Sequence, residues 1–203
     1  MFKKIILICS FLLAFHGIRA NNTIVEFEKA LQEKSAQIQT IVCDFKQIRS
    51  SVVFANDDIK TGTFTYARPE NILLAFKDGD FIKMCATNFT IRNAGTVLDV
   101  KVTANPMLKE LKRLLSACMT GDVKAMSSSF NMNVTEKNGS YIVVLTPMKG
   151  RGSARMQSVN MSFDKKDMSL SELVLMEPSG DSMRYDFFNK KFNVEVSEET
   201  FLK

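Results

Sequence analysis

Histidine, the side chain most often used as a general base or metal ligand, occurs once in this chain, at His16. It lies inside an N-terminal segment whose pattern marks it for removal, so the mature chain is expected to hold none. That excludes serine hydrolases with a Ser-His pair, papain-like cysteine enzymes and zinc hydrolases with histidine ligands. The adjacent acids, Asp57 with Asp58 and Glu198 with Glu199, stand in polar, turn-like surroundings that read as solvated faces. Beyond the leader the cysteines are Cys43, Cys85 and Cys118, far apart and without the Cys-x-x-Cys spacing of zinc or redox sites. Three thiols cannot all pair within one chain, and small apolar residues in core positions are the simpler reading. No catalytic residue, metal site or cofactor is expected, and the search for function turns to binding.

The leader consists of Lys3 and Lys4, an apolar run from Ile5 to Phe15, and Ala20 as a small residue suited to cleavage. This is the pattern of a secretory signal peptide over residues 1–20. The run falls short of the roughly 20 residues that a membrane-crossing helix needs, and no second such run follows. Cys9, preceded by Leu7 and Ile8, does not fit a lipid-attachment site. Loss of Lys3, Lys4 and Arg19 takes three from the formal net charge of +5 and leaves +2. The remaining basic residues are dispersed, which gives no support to nucleic-acid binding. Residues 21–203 are long enough for one domain with a sizeable core, expected to be exported and soluble.

The elements that would position a binding surface are mostly strands. A helix is expected from about Thr23 to Gln37, with Thr23 and Glu26 at capping-box spacing and Ile24, Phe27 and Leu31 at helical intervals. Strands follow at Ile41 to Ser51, Phe81 to Thr87, Phe89 to Arg92 and Val97 to Val102. Between the first two, Gly62 to Phe76 places an Arg68-Pro69 corner between apolar strands that carry Phe64, Tyr66, Leu74 and Phe76. A helical segment begins near Pro106 and ends near Gly121, with Met107, Leu108, Leu111, Leu114, Leu115 and Cys118 on one broad stripe. That helix is too apolar to lie bare in water; it is either a core helix or a lid over a cavity. Further strands are expected at Phe130 to Thr135, Tyr141 to Leu145, Met156 to Phe163, Leu170 to Met176 and Met183 to Val196, with turns at Asn138-Gly139, Lys165 to Asp167 and Ser179 to Asp181. Val159, Met161 and Phe163 alternate with Ser158, Asn160 and Ser162, the signature of a sheet with one wet face. Many short antiparallel strands imply a curved sheet or a partly closed barrel. Twelve methionines and sixteen phenylalanines without tryptophan supply adaptable apolar surface, in a filled core or around a cavity.

The export signal, the first helix, Asp44-Phe45-Lys46-Gln47, Gly62-Thr63-Phe64, Arg68-Pro69 and the closing hairpins together resemble the periplasmic outer-membrane lipoprotein carriers, the LolA-like family. The likeness covers most of residues 21–203. It implies a mainly β fold: an unclosed antiparallel β-barrel, or half-barrel, with an N-terminal helix and a helical lid over an apolar cavity that receives the acyl chains of lipoproteins. It further implies a monomer in the periplasm that escorts cargo from an inner-membrane lipoprotein-releasing transporter to an outer-membrane acceptor. Carried over, the family's arginine before proline is Arg68, which would hydrogen-bond to carbonyls of the lid helix and hold the empty cavity shut. Phe64, Tyr66, Leu74, Phe76, Met107, Leu108, Leu111, Leu114 and Leu115 would form cavity wall and lid. Leu73 to Ala75 stand where many carriers have a tryptophan, which marks a divergent member. A carrier of another lipid or glycolipid, or a non-catalytic lipoprotein-sensing module of the same fold, shares these implications.

Overall fold

The computed structural model describes residues 23–85, 88–101, 106–127, 130–148 and 156–201. The expected signal segment lies outside them, as do Val102 and the side chains of Met107 and Leu108. A first helix, α1, covers residues 23–35. Six strands follow: β1 (Thr40–Ser50), β2 (Asp58–Ala67), β3 (Asn71–Phe76), β4 (Phe81–Met84), β5 (Asn88–Asn93) and β6 (Thr96–Lys101). Helices α2 (Pro106–Thr120) and α3 (Val123–Ser127) come next. The chain then returns through β7 (Phe130–Lys137), β8 (Ser140–Pro147), β9 (Ser158–Asp164), β10 (Leu170–Met176) and β11 (Ser182–Phe192).

These strands form one antiparallel sheet of eleven, in the order β6-β5-β4-β3-β2-β1-β11-β10-β9-β8-β7. Every neighbour is also a neighbour in sequence except one pair: β1 lies against β11. The chain therefore starts at the centre of the sheet, meanders out to the edge at β6, resumes at the opposite edge with β7, and meanders back. The sheet is not closed, because β6 and β7 are its two edges. The segment joining them has to pass over a face, and α2, 15 residues and about 22 Å long, is the span that does so.

That face is the buried one. Side chains alternate along each strand, and one set is enclosed: Ile41, Cys43 and Phe45 on β1, Phe64 and Tyr66 on β2, Ile72 and Leu74 on β3, Tyr141, Val143 and Leu145 on β8, and Val159, Met161 and Phe163 on β9. The other set, Ser158, Asn160 and Ser162 among them, reaches the outer side. Phe27 of α1 sits edge-to-face on Tyr141 and Phe163, at 5.5 and 5.1 Å between ring centres. Cys118 of α2 meets Met161 across 3.6 Å between sulfurs.

Gly62 shows why the β2 signal contains a glycine. It lies opposite Phe45 in the β1–β2 pairing, and a Cβ there would stand 2.8 Å from that ring and 2.1 Å from the carbonyl oxygen of Ala75 on β3. The Ala75 backbone on one side and the Phe45 ring on the other leave no space for a methyl group. Gly62→Ala is expected to lower stability by about 1–3 kcal/mol or more, read as an earlier urea midpoint at unchanged slope. An unchanged midpoint would show that β2 and β3 can separate at no cost.

Candidate functional site

The inner face of the sheet, with α1 and α2 upon it, is where the sequence-selected residues converge. Phe64, Tyr66 and Leu74 are fully buried there, as are Leu111, Leu114 and Leu115 of α2. Phe76 is half-buried and packs edge-to-face on Phe45 at 5.2 Å. What remains open among Ile41, Cys43, Phe64, Met119, Leu170 and Phe187 is a void of about 10 Å³, room for about one water. A small-ligand pocket is typically about 300 Å³ or more, so among the described residues this part of the face is shut.

The shut state is tied at one corner of the sheet. The Arg68–Pro69 peptide is cis and turns the chain between β2 and β3. Arg68 Nε donates to the carbonyl of Ile38 at 2.7 Å and its Nη2 to that of Ser35 at 2.8 Å, while its backbone N–H reaches the carbonyl of Gln39 at 2.9 Å. A guanidinium has the fixed donors to bind two carbonyls at once, and a cation at the C-terminal end of α1 meets the negative end of the helix dipole. The carbonyls it holds thus belong to α1 and the turn after it. They do not belong to the 106–120 helix that sequence reasoning paired with Arg68, because it is the C-terminal end of α1, where a helix presents its last carbonyls, that stands beside this guanidinium.

The second helix has its own tie to the same corner. Lys112 of α2 is buried, and its ammonium donates to the carbonyl of Cys85 at 3.0 Å and to Glu70, next to Pro69, at 3.4 Å. Arg68 and Glu70, on either side of Pro69, therefore fasten both helices to the β2–β3 turn. The helices also meet each other. At Gly121, just past α2 and in the left-handed region at φ 74°, a Cβ would lie 2.2 Å from Ser35 Oγ and 2.9 Å from Gln32 Cα of α1. Arg113 braces the far side of α2, stacking over Phe130 at 5.3 Å and donating to the carbonyl of Ala125 in α3.

Titratable groups on this face are held neutral or pressed that way by desolvation. Burial pushes the Cys43 thiol up to about 12 and raises that of Cys118 further, and it lowers the pKa of Lys190 from the ordinary lysine value. Tyr185, buried between Phe45 and Phe187, is pushed up to about 12 while accepting from Gln47 Nε2 at 2.8 Å. The three described cysteines are free thiols, two buried and Cys85 half-buried. Asp57, Asp58, Glu198 and Glu199 are all exposed, as their surroundings imply. Among the described residues no group of three or more metal-ligating side chains converges.

One larger hollow, about 580 Å³, lies away from this face against the loop between β1 and β2. Arg49, Asp58 and Asp181 line it with Phe54 and Ala55, so its wall mixes charged and apolar groups and is open to water. It offers no counterpart to the apolar inner face.

Sequence reasoning missed Lys112, Glu70 and Lys190. Glu70 carried a signal in its place directly after Arg-Pro. Lys112 sits on the flank of the stripe formed by Leu111, Leu114, Leu115 and Cys118, where a lysine reads as solvent-facing.

The sequence pattern of a family described as "Outer membrane lipoprotein carrier protein LolA" matches residues 36–202, well over half of the chain. No curated protein matches the chain. Solved structures share the architecture at very low identity. An uncharacterized conserved protein from Thermus thermophilus has a TM-score of 0.55 at 6% identity, covering 89% of this chain and 93% of its own. A DUF1329 family protein from Desulfovibrio piger has a TM-score of 0.50 at 8% identity, covering 88% and 97%. A LolA superfamily protein from Nitrosomonas europaea has a TM-score of 0.44 at 10% identity, covering 86% and 97%. At these identities the likeness concerns the fold alone.

Proposed function

We propose that this chain, which belongs to the LolA family of outer membrane lipoprotein carrier proteins, takes up the acyl chains of lipoproteins between its helices and the inner face of its sheet. It escorts them through the periplasm from the inner to the outer membrane, receiving them from a lipoprotein-releasing transporter and handing them to an outer-membrane acceptor. The observation that carries this reading is the pairing of an apolar face with a polar fastening of both helices at Arg68 and Glu70. Among the described residues no helix is long and apolar enough to cross a membrane.

The magnitudes favour such a fastening. Burial contributes about 0.8 kcal/mol per methylene, so a chain of roughly 16 carbons represents on the order of 12 kcal/mol and does not cross water unshielded. A permanently open cavity would hold several such chains too tightly for onward transfer. If opening requires Arg68 and Lys112 to leave their carbonyl and carboxylate partners, the net affinity falls by that amount and cargo can leave. Met119, Met161 and Met126, flexible and polarizable, suit a face that repacks between empty and loaded states.

Native mass spectrometry of the protein purified from its own periplasm, with extraction of what it carries, tests the reading. An acylated protein bound one to one is the expected result. A clean apo mass, together with failure to take up a fluorescent acyl probe, would mean that the inner face is a filled core and not a binding site.

A further inference from the structure

β11 breaks its own alternation. Tyr185 and Phe187 face inward, and Asn189 is the next position that strict alternation would bury. Asn189 instead adopts a positive φ of 55°, and the pairing with β1 shifts register between Val42 and Asp44. This is a β-bulge, which adds one residue and re-aims the side chains beyond it. The inward set therefore resumes with Lys190 and Phe192.

The bulge thus turns a lysine onto the apolar face. Lys190 lines the inner void beside Ile41, Cys43, Phe64, Met119 and Phe187. Its Nζ donates to Ser169 Oγ at 2.7 Å, and Ser169 Oγ donates in turn to Asp167 Oδ1 at 2.6 Å. Among the described residues no carboxylate lies within ion-pair distance of that ammonium. An ammonium has three donors, and one hydroxyl satisfies one of them. Burial already lowers its pKa, so the charged form gains from any anion brought beside it.

We propose that Lys190 anchors the head group of an anionic acyl lipid, pairing with a carboxylate or phosphate oxygen while the chain lies against Phe64, Met119, Leu170 and Phe187. This rests on the reading that the inner face opens to acyl chains, and it goes beyond lipoprotein escort. The diacylglyceryl anchor of a lipoprotein is uncharged and has no use for an inward ammonium. A free fatty acid or a phospholipid does. Ser169 and Asp167 hold the ammonium at the polar end of the face, so that it meets the head group and not the middle of the chain.

Displacement of a fluorescent acyl probe by laurate, dodecyl phosphate and dodecanol tests the assignment at constant chain length. A charge-assisted hydrogen bond in a half-buried site corresponds to about 10- to 100-fold in affinity. At least one of the two anions is expected to bind the parent protein about tenfold or more tighter than dodecanol. Preference for laurate assigns a fatty acid, and preference for dodecyl phosphate a phospholipid. Lys190→Met, which keeps the apolar stem, is expected to erase the preference and leave dodecanol affinity within about twofold. Lys190→Arg keeps the charge and is expected to retain the preference, which guards against a fold defect in the methionine variant. Equal binding of all three ligands by parent and Lys190→Met would overturn the head-group role and leave the carrier reading standing. Binding of none of the three by the parent would overturn both.

Discussion

Arg68→Leu is expected to bind a fluorescent acyl probe about 10- to 100-fold more tightly than the parent protein, with its folded state intact. The guanidinium makes two hydrogen bonds to carbonyls, those of Ser35 and Ile38, which leucine cannot make. Charge-assisted bonds contribute about 1.5–3 kcal/mol each when buried, but Arg68 is half-buried, and water can reach the freed carbonyls. About 2 kcal/mol for the pair is a reasonable figure, equivalent to roughly 30-fold in the balance between shut and open forms. An acyl chain that binds only the open form gains apparent affinity by the same factor, because a larger fraction of the protein is competent. The backbone N–H of Arg68 still donates to Gln39, and β2 and β3 still pair from Gly62–Phe76 to Ala67–Asn71, so the corner keeps its place in the sheet. Release should slow in parallel, since the force that shuts the face on an empty site is weakened. Probe titration and stopped-flow dissociation read both quantities. Unchanged affinity with an unchanged off-rate would remove Arg68 from any part in opening.

The contrast between Arg68 and the sheet shows what a sequence can disclose. Period-two alternation needs only neighbouring residues, and it located β10 to the residue, while β9, expected from Met156 to Phe163, runs from Ser158 to Asp164. Chain punctuation was equally legible: Pro106 opens α2, and Gly121, at positive φ, follows its last residue. The sequence expectation of an unclosed antiparallel sheet with an N-terminal helix agrees with the structure. Boundaries failed where a single residue changes the backbone. β11 was expected to reach Val196 and stops at Phe192, because Asn193 turns left-handed and clasps the linker before β1 through Gln37 and Gln39. β4 was expected to reach Thr87; it pairs as far as Met84, and residues 86–87 lie outside the described ones. α3, five residues long, is too short to show a helical period.

Long-range partners lay beyond any local pattern. Nothing in β1 or β11 announces that they meet across more than 130 residues to join the two halves of the sheet. For the same reason Arg68 could be singled out from its place before Pro69, while the helix it holds could not. A donor is read from residue type; its acceptor is a matter of topology. Lys190 is the extreme case, since a lysine three places beyond Phe187 falls on the outer side by alternation and reads as solvated unless the bulge at Asn189 is known.

Leu115→Asp should abolish acyl binding, with affinity for the probe falling more than about 100-fold. Leu115 lies on the inner side of α2, 1% exposed, with Leu114 and Leu111 beside it at 0% and 2%. An ionised carboxylate placed there is buried among leucines, and the cation one turn before it on the helix, Lys112, is already held by Glu70 and the carbonyl of Cys85, so burying it costs several kcal/mol. The least costly response is for α2 to lift from the sheet and turn a charge toward the place of the chain, which removes the apolar wall that an opened face still offers when only Arg68 is changed. Its ties at Lys112 and Gly121 are few, whereas the sheet has a continuous ladder on both sides of β1. The strand signal in circular dichroism is therefore expected to persist while probe binding is lost. Lys109→Asp, an exposed position on the same helix, changes charge by more and should leave binding within about twofold. Leu115→Ala separates polarity from packing. It destabilises the empty protein by about 2–5 kcal/mol through the cavity it leaves, yet a cavity on an acyl-binding face is one the ligand can fill. Its probe affinity is thus expected to hold or rise as its melting temperature drops. If both Leu115 variants merely lose stability and bind the probe as the parent does, acyl chains do not lie under α2, and the helix is a structural crossover between the two edges of the sheet.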